Sequence, residues 1–244
     1  MIIRKSPGTG KSQRKHETED WGDSGMKFLF ASDSFKGTLT SRRTAELLTE
    51  SAREIFPSCV FVSVELADCG EGTTEAVISA AGGSRIEARV HGPLWDIRTS
   101  CYGKLDDRRA VMEMAAASGL TLVPPEMRDP RKTTTFGTGE MIRDALDRGF
   151  HDISVAIGGS ATNDGGIGCM KALGIRFLDA DGKEVDGCGE DLIRICDIDG
   201  SGLDPRVSEC RFTVMCDVSN PLCGADGATY TFGRQKGGTP EILD

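Results

Sequence analysis

The sequence predicts an α/β protein, because short apolar runs that end in acidic or glycine-rich loops alternate with segments of helical period. Two such units stand in tandem near the start. Phe28 to Ala31 form an apolar run that stops at Asp33, the profile of a buried strand. Ala45, Leu48, Ala52 and Ile55 then repeat at helical spacing behind Thr40, a residue suited to an N-cap, and the run ends at Pro57. The second unit has a β-branched and aromatic run from Val60 to Leu66 and an acidic loop from Asp68 to Gly72. A helix from Thr73 to Ala81 follows, closed by Gly82 or Gly83. Tandem strand–helix units argue for a parallel sheet, whose ligands gather beyond the carboxyl ends of its strands.

From Arg85 to Met114 the pattern changes. Three short alternating segments, Ile86 to Val90, Ile97 to Tyr102 and Ala110 to Met114, are separated by Gly-Pro and Asp-Asp turns and read as a different sheet. The α/β character returns with a helix from Thr138 to Arg148 and a strand from Ile153 to Ile157. A glycine-rich turn then enters a helix ending near Gly174, and a strand from Phe212 to Cys216 stops at Asp217. Residues 1–25 are polar and nearly free of aliphatic side chains after Ile3, so a flexible extension is expected there, with the folded part starting at Met26. Thr239, Pro240 and Glu241 read as the start of a helix four residues before the end, with an expectation of further sequence beyond it.

Composition narrows the function. At 244 residues and 38% apolar content a real core can form, and a net charge of −9 offers no basic field for nucleic acid or an anionic membrane. No apolar run reaches the ~20 residues of a membrane helix, and the nine cysteines are scattered without a C-x-x-C pair. The expectation is a cytoplasmic protein with reduced thiols and small-molecule partners, and a homo-oligomer is compatible with it. His16, His91 and His151 lack triad or metal-ligand spacing.

Several loops carry candidate chemistry. Asp33, Ser34 and Lys36 supply a carboxylate, a hydroxyl and an ammonium at a strand end, and Glu71 lies in the equivalent loop of the second unit. The run from Ile157 to Gly166 is the most informative. Gly158, Gly159, Gly165 and Gly166 let backbone amides approach an anion, and Ser160, Thr162, Asn163 and Asp164 add polar groups before a helix. Gly137, Thr138 and Gly139 open another helix as a second amide cluster. Asp217 and Asn220 follow the last strand, and Arg234 to Gly237, with Gln235 and Lys236, is basic. Ser6 to Ser12 ends like a phosphate-binding P-loop, but it lacks the first glycine, the preceding strand and the following helix, so it reads as part of the extension.

Taken in order, DSFKG, GEGT, GPL, EMAAASGL, LVP, GTGE, IGGSATNDGG, SGLDPR, CDVSNPL and FGRQKG resemble the bacterial glycerate kinase family over Lys27 to Asp244. The resemblance implies a flavodoxin-like parallel-sheet domain, begun by residues 26–84, and a second mixed α/β domain over residues 85–244. It also implies an active site between them and a return to the first domain in a segment this chain lacks. It implies ATP and Mg²⁺ as well, with transfer of the γ-phosphoryl group to D-glycerate, 2-phosphoglycerate being the favoured product, or otherwise a fragment that only binds glycerate or nucleotide. Asp33, Lys36, Asp164 and Asp217 are then the catalytic candidates. Ser34, Glu71, Gly137, Thr138, Gly139, Gly158, Gly159, Ser160, Thr162, Asn163, Gly165, Gly166, Asn220, Gln235 and Lys236 would bind substrate or phosphate. No metal ligand set is assigned. Two positions depart from the family pattern: Cys69, where it usually has Gly, and Arg234, where it usually has Pro.

Overall fold

A computed structural model describes residues 26–35 and 38–244. The expected extension, its P-loop-like segment and Lys36 lie outside the described residues. By contacts the chain divides at Ala67–Asp68 into two units.

In the first unit, strands β1 (Lys27–Ser32) and β2 (Val60–Glu65) flank helix α1 (Ser41–Ile55). The strands pair parallel, with Lys27 opposite Val60, as a strand–helix–strand sequence demands. Thr40 does cap α1, its hydroxyl oxygen accepting from the Arg43 amide at 3.1 Å. The helix is fixed at its start by Ser41, whose hydroxyl donates to Ser32 O at 2.5 Å and accepts from Leu66 N at 3.1 Å. Phe28, Phe30, Phe56 and Phe61 pack their rings at 5.1 to 6.3 Å and form the apolar contact of the unit.

The second unit is built on a five-stranded sheet. After helix α2 (Thr73–Ala81) come β3 (Ser84–His91), β4 (Ile97–Lys104) and β5 (Arg109–Glu113), the three alternating segments of the sequence. A short turn of helix, α3 (Ala115–Ser118), leads on to α4 (Phe136–Asp147), β6 (Asp152–Ala156) and α5 (Ile167–Ala172). A small antiparallel pair of β7 (Arg176–Leu178) and β8 (Asp197–Asp199) follows, then α6 (Arg206–Glu209), β9 (Arg211–Met215), α7 (Ala228–Phe232) and α8 (Pro240–Leu243). Strand order is β3-β4-β5-β6-β9, antiparallel as far as β5 and parallel from β5 to β9.

The contact boundary falls earlier than residue 84 because α2 packs on β4 and β5. Gly103 permits that approach: a β-carbon there would lie 2.9 Å from Ile78 Cγ1. The main core gathers Val90, Tyr102, Met112, Met141, Leu146, Phe150, Ile153 and Leu173 from the sheet, α4 and the end of α5. The last turn, α8, is held better than its length suggests, since Leu243 is buried against Gly233 and Gly238. β7 and β8 went unrecognised in the sequence because three residues are too few to set a period.

Candidate active site

β5, β6 and β9 run parallel and side by side, so their carboxyl ends open onto one edge of the sheet. Glu113 ends β5, Ile157 follows β6, and Cys216 and Asp217 follow β9. The glycine-rich segment leaves from the middle strand of the three. Gly159, Gly165 and Gly166 have positive φ of 73°, 59° and 80°, a conformation that other residues reach only at a cost.

This loop is braced from several sides. Ser118 O accepts from Ala161 N at 2.8 Å, Gly159 O accepts from Leu120 N at 2.8 Å, and Gly119 bridges Ser160 as an extra strand pair. Thr133 Oγ1 donates to Ala161 O at 3.0 Å. Lys236 reaches in from the turn after α7: its Nζ donates to Ser160 Oγ at 2.8 Å and to Thr162 O at 2.5 Å. Only 8% of Lys236 is exposed, and burial lowers its ammonium to about 8, against the opposing charge of Asp164. A bare cation for phosphate was expected here. In the structure the ammonium has two acceptors inside the loop, Ser160 Oγ and Thr162 O.

Asp164, expected as a catalytic residue, is held inside the protein in the same way. It is 2% exposed, and both of its oxygens are occupied. Oδ2 accepts from Thr135 N at 2.8 Å, Thr135 Oγ1 at 2.7 Å and Gly168 N at 3.4 Å, while Oδ1 accepts from Gly166 N at 3.0 Å. The carboxylate thus ties the starts of α4 and α5 together, a position that a helix start favours for negative charge.

The second amide cluster does not form. Gly137, Thr138 and Gly139 are buried in the first turn of α4, and the Thr138 and Gly139 amides donate to Thr135 O. A β-carbon on Gly137 would lie 1.8 Å from His91 O, and one on Gly139 would lie 2.3 Å from Cys169 O. These glycines let α4 approach β3 and α5. Thr138 Oγ1 meets Ser118 Oγ at 2.9 Å.

The remaining candidates are distributed. Ser160 and Asn163 are half-buried in the loop, and the Asn163 amide donates to Thr229 Oγ1 at 3.0 Å. Thr162 is buried. Gly158 carries its loop against the Asp68–Gly72 segment: its amide donates to Cys69 O at 3.0 Å. Glu71, Asp217 and Gln235 are exposed, and Asn220 donates to Asp226 O at 3.0 Å. In the first unit Asp33 Oδ1 accepts from Ser34 N at 2.6 Å, closing a local turn.

Glu113 was missed by sequence reasoning. It is 8% exposed, and its Oε1 accepts from Thr74 N, in the first turn of α2, at 2.6 Å. Burial pushes its carboxyl above the usual range, with Glu71 adding to the push and the Thr74 and Gly72 amides opposing it. An acid closing an apolar strand was the available signal. Among the described residues, no three of His, Cys, Asp and Glu stand close enough to hold a metal, and no helix is long and apolar enough to cross a membrane.

A mixed α/β sheet with a glycine-rich loop at the carboxyl end of a parallel strand defines the class, an α/β protein whose loop stands where parallel sheets place their ligand sites. The glycerate kinase family model matches residues 28–244, and the chain belongs to that family. It is 47% identical over 219 residues to a glycerate kinase of Haemophilus influenzae and 48% identical over 219 residues to a glycerate 2-kinase of Escherichia coli K12. Each alignment covers 89% of this chain and 58% of the relative. A crystal structure from Salmonella typhimurium LT2, assigned as a glycerate kinase 2, superposes with a TM-score of 0.75 at 49% identity. That match covers 89% of this chain and 59% of that one. The chain therefore spans somewhat under three fifths of the length of the relatives it matches.

Proposed function

We propose that the chain serves a glycerate kinase reaction, in which the γ-phosphoryl group of ATP passes to the 2-hydroxyl of D-glycerate. The observation that carries this reading is the braced glycine-rich loop at the carboxyl edge of β6, in a member of the glycerate kinase family. The name of the E. coli relative, glycerate 2-kinase, supports the choice of hydroxyl. In the reaction the hydroxyl oxygen bonds to the γ-phosphorus, the bond from that phosphorus to the ADP oxygen breaks, and the hydroxyl proton passes to a base.

Each part has a candidate. Amides of Gly159 and Gly165, with Ser160 and Asn163, hold phosphate or carboxylate oxygens, while the Gly158 and Gly166 amides are taken up by Cys69 O and Asp164 Oδ1 and fix the shape of the loop. Lys236 and Asp164 keep that loop in shape rather than meeting substrate. Asp217 is exposed at the end of β9, and Glu71 is exposed in the loop beside Gly158. Mg²⁺ takes one or two acids and completes its shell with water and nucleotide phosphates, so either exposed carboxylate would serve as its protein ligand, and the ion would neutralise charge on the transferring group. Asp33 belongs to the first unit, and its part is tested by D33N. Residues 26–84 are read as the opening of a flavodoxin-like domain, and residues 85–244 as the second domain.

A second reading has its own support: a chain spanning 58% of its relatives can hold glycerate or nucleotide without turning it over. The test is ATP turnover with D-glycerate and Mg²⁺, run on the 244-residue chain and on a version lengthened to match the relatives, with other hydroxy acids as controls. Turnover of D-glycerate by the lengthened chain supports the kinase reading. Binding without turnover in both favours the second, and preference for another hydroxy acid in both removes glycerate as the substrate.

A further inference from the structure

We propose that Glu113 is a positioning residue that locks the Asp68–Gly72 loop and the glycine-rich loop into one surface. The significance of that surface for catalysis rests on the proposed kinase reading; the locking itself does not. The contacts form a closed circuit. Glu113 stands opposite Ala156 in the β5–β6 pairing, and Met114 N donates to Ala156 O at 2.8 Å. Two residues beyond Ala156, Gly158 N donates to Cys69 O. Gly158 can approach so closely only because it lacks a β-carbon, which would lie 2.8 Å from Cys69 O and 2.9 Å from Gly70 Cα. From Gly70 the chain turns into α2, with Thr73 Oγ1 donating to Gly70 O at 2.8 Å, and Thr74 N returns to Glu113 Oε1 at 2.6 Å.

Every other link in this circuit is backbone or a local hydroxyl; Glu113 is the one long side chain that spans from the sheet to the helix start. A buried acceptor with a buried donor as partner leaves an unsatisfied N–H when it is removed. The helix start would then be free to lift, and with it the segment that shapes one side of the glycine-rich loop.

The test is hydrogen exchange on the 244-residue chain, which needs no activity. E113A is expected to speed exchange of the Gly158 and Thr74 amides by about tenfold or more, while E113Q, which keeps an acceptor oxygen, holds both within about threefold of the parent. L173A, a core truncation, serves as the control for general loosening. Exchange at both amides that is unchanged in E113A, or no faster than in L173A, overturns the proposal; so does E113Q exchanging as fast as E113A. Should E113A fail to fold, E113D, which withdraws the carboxylate by one methylene, carries the same comparison. In a chain that turns over D-glycerate, E113A should raise KM about tenfold with kcat changed less than threefold, a split that L173A does not produce. Absence of turnover in the parent would count against the kinase reading and leave the exchange result to decide Glu113.

Discussion

At Lys236 a long cationic side chain has left water to satisfy a loop. Its ordinary value of 10.5 falls to about 8 on burial. The folded state therefore sheds this proton earlier than the unfolded state, and between those two pH values the Lys236 contribution to stability improves as pH rises. K236M removes the titration. The stability of the parent minus that of K236M, measured by urea unfolding, should climb between pH 8 and 10.5 by up to about 3 kcal/mol. A flat difference would mean that the ammonium is solvated. Cys69 makes a second case at this scale. Its φ of 63° is a left-handed conformation that a β-carbon disfavours and a glycine adopts freely. C69G is expected to stabilise the chain by about 0.5 to 1 kcal/mol in thermal unfolding, the relieved strain exceeding the extra freedom of the unfolded chain.

Elements show where sequence reasoning reached and where it stopped. The strands and long helices were legible because each has a clear period and a punctuating Gly, Pro or cap, as at Thr40 and Gly82. What a residue does within a loop was not legible from its type. Gly137 and Gly139 look like an anion-binding turn in sequence, yet they are contact points where α4 meets β3 and α5, a fact set by residues far along the chain. G137A should therefore cost about 3 kcal/mol or more, since overpacking here drives a methyl group into a carbonyl oxygen. Asp164 shows the same gap: an acid in a glycine-rich loop suggests catalysis, and its type gives no sign of the four donors that make it join two helix starts. D164N turns an amide group toward backbone donors and should lower stability by about 2 to 3 kcal/mol. Unchanged stability in denaturant melts would restore the catalytic assignment. Glu113 escaped notice because a lone acid after an apolar run has no distinguishing spacing; its meaning comes from the helix that lands on it.

Across the whole molecule, the sheet architecture explains why the candidate chemistry gathers where it does. Three parallel strands deliver Glu113, the glycine-rich loop and Asp217 to one edge, while the antiparallel β3–β4 pair extends the sheet on the far side and takes no part in that edge. β9 is the last strand of the sheet and leaves Val214 60% exposed, with Phe212 and Val218 beside it partly open to solvent. Exposed edges of this kind invite pairing with another chain.

The proposed kinase reading stands or falls on the loop from Ile157 to Gly166 acting as an anion cradle. The most direct measurement is amide chemical-shift mapping on the isotopically labelled 244-residue chain, titrated separately with D-glycerate and with ATP and Mg²⁺. An anion cradle gives saturable shifts at Gly159, Asn163 and Gly165 for at least one of the two, with the amides of β3 and β4 unmoved. Saturable shifts elsewhere with none in the loop, or no shifts at all at millimolar ligand, would contradict it.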